Sequence, residues 1–290
     1  MKEQESPTRQ LSEVRVLDGG YCKQLEYLSG LRSARVRRFH AMFLHIRHPK
    51  YGEAVIDTGY SPLFFEATRR LPGYIYRLIT PVPRRQMANA ARFFDKQEID
   101  PANIRTVFLS HFHADHIAGL CYYPQAEIVS DAETTAGIDG LNFRGRLKAG
   151  FLPGLLPDDF FERTAPIDRV NFIDNDSVLN SFRTFDYWGD GSLVLVDLPG
   201  HSAGHLGFLL NIGGERIFYV ADAFWDIRVL RGGRDIPRFS RFFQHDYSAY
   251  RETQEKLITL ETTNKETGTP MQLIATHCPH AFRFGTAREE

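Results

Sequence analysis

The stretch His111-Phe112-His113-Ala114-Asp115-His116 places three imidazoles and one carboxylate within six residues. It directly follows Ile104-Arg105-Thr106-Val107-Phe108-Leu109-Ser110, a short apolar run that reads as a buried strand. The chain thus presents a group of metal-ligand side chains at the point where it leaves a sheet. In an extended segment, residues two apart share a side, so His111 and His113 can grip one ion together. Asp115 and His116 stand at the turn into a following helix, where they can face a second ion. Neutral imidazole and carboxylate suit Zn²⁺, Fe or Mn²⁺ alike.

These residues alone cannot complete two sites, and further ligands are expected from strand ends on the same rim. Three candidates follow apolar strands in order. His201 comes after Leu193-Val194-Leu195-Val196-Asp197-Leu198-Pro199-Gly200, Asp222 after Arg216-Ile217-Phe218-Tyr219-Val220-Ala221, and His277 after Gln272-Leu273-Ile274-Ala275-Thr276. His280 competes with His277, but it lies beyond Pro279, whereas His277 follows the strand directly. His205, four residues after His201, is expected to support the ligands or to pack a helix. A lone His after a strand is ordinarily structural, so His40, His45, His48 and His245 are given no role. Cys278 is read as a bystander and Cys121 as core.

Outward from this centre the chain is strand-rich after a polar tail of about a dozen residues. Residues 35–46 and 53–59, separated by Pro49-Lys50-Tyr51-Gly52, read as an antiparallel hairpin. The basic cluster Arg32, Arg35, Arg37 and Arg38 reads as the solvated face of an edge strand. A helix is predicted after Tyr60, with Ser61 as N-cap and Pro62 at its first position. Another is predicted over 84–98, and a third from Asp246, as N-cap, to Leu260. Residues 137–165, rich in Gly, Pro and aromatics, read as an inserted cap on a single domain spanning 1–290. Strand blocks with helices between them predict two packed mixed sheets with helices outside, an α/β (α+β) sandwich.

Composition sets limits. The 290 residues carry a formal net charge of −1, with 24% charged and 42% hydrophobic residues. Such values exclude a disordered tail, a collagen-like chain and a coiled coil. The charge balance gives no global field for nucleic acid, and no apolar run is long enough to span a bilayer. The polar start lacks the apolar core of a secretory signal, and three widely spaced cysteines suit a reducing compartment, so a cytoplasmic protein is expected.

Taken together, HFHADH, LPGHSAGH, VADAFWD and ATH, preceded by VIDTG, resemble the metallo-β-lactamase superfamily of metal-dependent hydrolases over about Asp57 to His277. The resemblance implies an αββα sandwich with a dinuclear site at one edge, holding two divalent ions, zinc first among them. It implies His111, His113 and His201 on one ion, Asp115, His116 and His277 on the other, Asp222 bridging, and Asp57 orienting a ligand. The branch it resembles most opens lactones, esters or thioesters, with Asp115 handling the proton. The alternatives are a glyoxalase-II-like thioesterase, an iron-dependent sulfur oxygenase and a slow-turnover binding or regulatory protein. The expected partner is a small molecule with an apolar acyl or aromatic part, bound near Trp225, Phe151, Phe242 and Phe243. No nucleic acid or membrane partner is expected, and a homodimer is allowed. Lactonases of this branch commonly carry Tyr three residues after the bridging Asp; here that position is Trp225.

Overall fold

Among the described residues the chain forms two six-stranded sheets. The first is ordered β1 (Glu13–Leu25), β2 (Val36–His48), β3 (Gly52–Ile56), β4 (Ile104–Phe108), β5 (Glu127–Asp131) and β6 (Thr164–Ile167). Its first three strands pair antiparallel and the rest parallel. In the second, β7 (Ile173–Asp174), β8 (Arg183–Asp186), β9 (Leu193–Asp197), β10 (Leu206–Ile212) and β11 (Glu215–Ala221) pair antiparallel in sequence order. β12 (Met271–Ala275) then adds parallel to β11. The computed structural model describes residues 10–86, 94, 99–174, 179, 181–268 and 271–280. The first nine residues and most of the helix predicted over 84–98 lie outside them.

Three buried clusters, one for each layer contact, explain the strand sequences. Side chains alternate across a strand, so a strand covered on both sides must be apolar at odd and even positions alike. In β2, Met42, Leu44 and Ile46 face the second sheet, while Phe39, Ala41 and Phe43 face the helices on the outer side. In β11, Ile217, Tyr219 and Ala221 face the first sheet, and Phe218 and Val220 face the long helix Tyr247–Glu266 with Leu257 and Leu260. Asp246 caps that helix, accepting a hydrogen bond from the Ala249 amide as its position predicts. The two mixed sheets with helices outside are thus the expected αββα sandwich.

Several local expectations give way to tertiary packing. β1 was not anticipated: its alternation is broken at Asp18-Gly19-Gly20, where the register against β2 shifts. With β1 beside it, β2 is an interior strand, and Arg37 is no solvated residue. Its guanidinium pairs with the buried Asp226 and donates to the Trp225 carbonyl. Ser61 does not cap the helix Leu63–Ala67; its hydroxyl donates to the Ala118 carbonyl at 2.5 Å. Cys121 is exposed rather than core. Residues 132–163 form short helices that cross from β5 to β6, and Thr164 and Ala165 already belong to β6. Phe151, Leu152, Leu155 and Phe160 of this stretch join the core between the first sheet and its helices.

The fold brings the ends of β3, β4, β9, β11 and β12 to one edge of the sandwich. Each is followed within a few residues by Asp57, His111, His201, Asp222 or His277. Gly200 permits the turn before His201. Its φ of 128° and the approach of its backbone to Tyr250, 2.1 Å from where a Cβ would sit, admit no side chain. Phe108 holds the sheets together from the inside, with its ring centroid 6.1 Å from Phe208 and 4.9 Å from Tyr187. Phe108→Ala is expected to cost about 3–5 kcal/mol in denaturant unfolding. A loss below about 1 kcal/mol would show that the sheet interface does not depend on this ring.

Candidate metal centre

Backbone strain aims two of the site residues. Asp57 and Ala221 are the non-glycine residues with positive φ among those described, at 61° and 45°. Both stand where a strand of the sandwich ends. For an L-residue this region costs roughly 1–2 kcal/mol, so the surroundings must hold it in place. The turn at Ala221 points Asp222 into the rim. The turn at Asp57 points its carboxylate beneath the HFHADH loop.

Two groups of ligand atoms form there. His111, His113, His201 and Asp222 present theirs within 4.8 Å of one another, and so do Asp115, His116 and His277. The groups meet at Asp222. Its Oδ2 lies 3.3 Å from His201 Nε2 and 3.1 Å from His277 Nε2, and its Oδ1 lies 3.6 Å from His116 Nε2. Across the first group, His113 Nδ1 and His201 Nε2 approach to 3.0 Å. In the second, Asp115 Oδ2 is 3.5 Å from His277 Nε2 and 3.7 Å from His116 Nε2. His111 Nε2, His116 Nε2 and Asp222 Oδ1 are buried and have no hydrogen-bond partner among the described residues. Unpaired buried polar atoms are costly, and three of them converging on one space fit cations.

The second ring nitrogens of His111, His116, His201 and His277 are tied down from behind. His116 Nδ1 lies 2.8 Å from Asp57 Oδ2, and His277 Nδ1 donates to the His40 carbonyl at 2.6 Å. His201 Nδ1 donates to Gln244 Oε1 at 2.9 Å. The Ser110 hydroxyl sits 3.0 Å from His111 Nδ1 and 2.8 Å from Asp57 Oδ2. His205 Nδ1 donates to the Leu198 carbonyl, which leaves Nε2 to accept from the Asp222 amide at 3.3 Å. Fixing one nitrogen selects which of the two would face an ion.

Charge follows the same division. Burial and the neighbouring imidazoles hold His111 and His113 well below the usual histidine range, and burial lowers His201 too. These rings are therefore neutral, the form that ligates. Burial likewise brings His205 down to about 3. Burial opposes charge on His116 as well, but Asp57 and Asp115 outweigh it and hold the ring well above its usual value. Burial also disfavours the Asp222 carboxylate, yet His277 and His116 keep it ionised.

A cavity of about 160 Å³ opens over these groups. His113, Asp115, His201, Asp222 and His277 line it, with Phe39, Tyr60, Tyr76, Trp225 and Phe243 among its walls. Trp225 stands over the ligands, its ring 6.1 Å from His201 and 6.4 Å from His277. Phe151 is instead buried against Phe112, and Phe242 is 68% exposed. On the short helix Arg238–Phe242 and its C-cap, Phe239 and Phe243 lie one turn apart and face the cavity, which turns Phe242 away. His280 is exposed and is not one of the residues lining the cavity. The supporting residues Ser110, Tyr219 and Gln244 and the wall residues Tyr60 and Tyr76 carry no sign of this role in the sequence, except that Ser110 stands beside His111, and Arg37 reads there only as part of a solvated basic cluster.

Known proteins share this layered fold. The model described as "Metallo-beta-lactamase superfamily" matches residues 51–263. A probable metallo-hydrolase of Mycobacterium tuberculosis is 23% identical over 210 residues, covering 69% of this chain; the match spans 63% of the length of that relative. The N-acyl homoserine lactonase AttM of Azorhizobium caulinodans is 28% identical over 247 residues, covering 83% of this chain and 82% of AttM. Among solved structures, a quorum-quenching N-acyl homoserine lactone lactonase superposes with a TM-score of 0.66 at 11% identity over 96% of both chains. The dizinc lactonase AidC superposes with a TM-score of 0.62 at 15% identity, over 93% of this chain and 89% of that one.

Asn adopts the left-handed conformation readily, so Asp57→Asn isolates the charge behind His116. It is expected to weaken metal binding about 10–100-fold in chelator competition. An unchanged affinity would remove Asp57 from the support of the site.

Proposed function

The chain belongs to the metallo-beta-lactamase superfamily, and from that premise we propose a dinuclear metal-dependent hydrolase of lactones, esters or thioesters with an apolar acyl or aromatic part. The observation that carries this reading is the meeting of two ligand groups at Asp222, at the base of an aromatic-walled cavity. His111, His113 and His201 would hold one divalent ion and Asp115, His116 and His277 the other, with Asp222 between them. Zinc is the first candidate. When bound, such a pair supplies Lewis acidity, which activates water near neutral pH and stabilises charge developing on a substrate oxygen.

The chain's own residues do the rest. Asp115 lines the cavity, which supports a role in holding the proton of the attacking water and passing it to the leaving oxygen or sulfur. His116 is kept in orientation by Asp57, and His201 by Gln244, so the ligands are set before substrate arrives. Trp225, Phe39 and Phe243 exclude water and bind the apolar part of the substrate. The proposed setting is the cytoplasm, consistent with free thiols at Cys22, Cys121 and Cys278.

A panel of acyl homoserine lactones, aryl esters, acyl-CoA thioesters and phosphodiesters, with metal content measured on the same sample, tests this. Two ions per chain and turnover of a carboxylic substrate are expected; a single iron per chain would favour oxygen chemistry on sulfur instead. His113→Ala and Asp222→Ala are expected to abolish turnover while keeping the far-ultraviolet circular dichroism of the fold. Full activity in either would remove the mechanism. Trp225→Ala is expected to change substrate preference across the panel with metal content unchanged, and identical kinetics would place Trp225 outside the substrate's reach.

A further inference from the structure

Most of the large apolar side chains that the fold leaves in water lie on segments that also line the cavity. Twelve large hydrophobic residues are exposed among those described, and eight of them lie on three segments, 23–38, 69–86 and 234–243. The segments meet. The Lys23 amide donates to the Pro81 carbonyl at 3.0 Å, and the Ser240 hydroxyl donates to the Leu28 carbonyl at 2.8 Å. Gln24, Leu28, Ile79 and Phe239 line the cavity from all three. On the helix Gly73–Ile79, Tyr76 and Ile79 face the cavity, while Tyr74 and Leu78 form a stripe in water, 41% and 63% exposed.

The same segments segregate charge. Residues 23–38 hold five Lys or Arg against one acid, 69–86 five against none, and 234–243 three against one, in a chain whose net charge is −1. Arg37 and Arg241 pair with Asp226 and Asp235. Arg84, Arg85 and Arg238 are exposed, with no ion pair among the described residues. Whole-chain balance therefore hides a local excess of cations around an apolar rim.

We propose that this apolar and cationic patch beside the cavity docks the protein on an anionic lipid surface. Apolar side chains enter the headgroup boundary while cations lie at the level of the phosphates. A nucleic acid would satisfy the cations and leave Leu78 and Phe242 in water. A second copy joined through the same patch would set like charges face to face. The inference departs from the expectation of no membrane partner, and it stands independently of the hydrolase reading.

Sedimentation of the full chain with vesicles of equal phosphatidylglycerol and phosphatidylcholine, against phosphatidylcholine alone, tests the proposal. Binding to the anionic vesicles is expected to exceed neutral binding by about tenfold or more at low salt and to fall as salt rises. Arg84→Gln should lower it about fivefold and Leu78→Ser about tenfold, each with an unchanged circular dichroism spectrum and unchanged turnover of a soluble aryl ester. No binding, or equal binding to both vesicles, overturns the proposal. So does a dimer in sedimentation velocity that Leu78→Ser abolishes while vesicles are ignored, or capture of duplex DNA in their place. Absence of ester turnover in the unaltered chain bears on the hydrolase reading alone.

Discussion

The Asp57 carboxylate is the interaction on which the rest of the site depends. It is fully buried, and it gathers donors from both sheets. Oδ1 accepts from the Ser110 amide at 2.9 Å; Oδ2 accepts from the Ser110 hydroxyl at 2.8 Å and the Tyr219 hydroxyl at 2.7 Å, and faces His116 Nδ1 at 2.8 Å. An isolated carboxylate in this position would cost several kcal/mol. With these partners it becomes a rivet. It joins the end of β3 to the loop after β4 and reaches across the sheet interface to β11. The Tyr219 hydroxyl also lies 2.8 Å from Thr276 Oγ1, one residue before His277. One buried charge thus links the elements that supply both groups of ligands.

Strain and burial work together around it. Asp57 and Ala221 keep left-handed backbones because the sheets on either side over-determine them. Relaxing either would swing a carboxylate out of the rim. The imidazoles crowd to ring separations of 4.0 Å for His111 and His116 and 4.7 Å for His113 and His201, yet burial keeps His111, His113 and His201 neutral. The arrangement would be repulsive if every ring were charged. The chain resolves this by placing its carboxylates against His116 and His277.

The loop 222–226 connects this centre to the surface. Asp222 lies among the ligands, Trp225 in the cavity wall, and Asp226 at the far end, where Arg37 and Arg228 hold its carboxyl down to about 2. Arg37 comes from β2, inside the basic run that also contributes to the rim of the mouth. One carboxylate held by two guanidinium groups therefore anchors the segment that carries both a candidate ligand and a cavity wall. Beside it the remaining cations of the run stay in water.

The candidate ligand residues and the layered fold could be picked out in the primary structure because both have local signatures. HFHADH is dense in a way composition rarely produces, and His201, Asp222 and His277 each follow an apolar strand. The strands of the two sheets, apolar on both faces, announced a covered sandwich. What surrounds the ligands had no such mark. Tyr219 reads as one more buried strand residue, Gln244 lies 43 residues from the His201 it orients, and β1 is disguised by its glycine bulge. Phe239 and Phe243 rather than Phe242 face the cavity because helical phase decides it. The cationic rim is likewise a product of folding, assembled from three segments far apart in the chain. Residue type fixed which groups can ligate; only the packing of one sheet on the other decided which atoms meet, because hydrogen-bond reach is a few ångströms in space and takes no account of sequence distance.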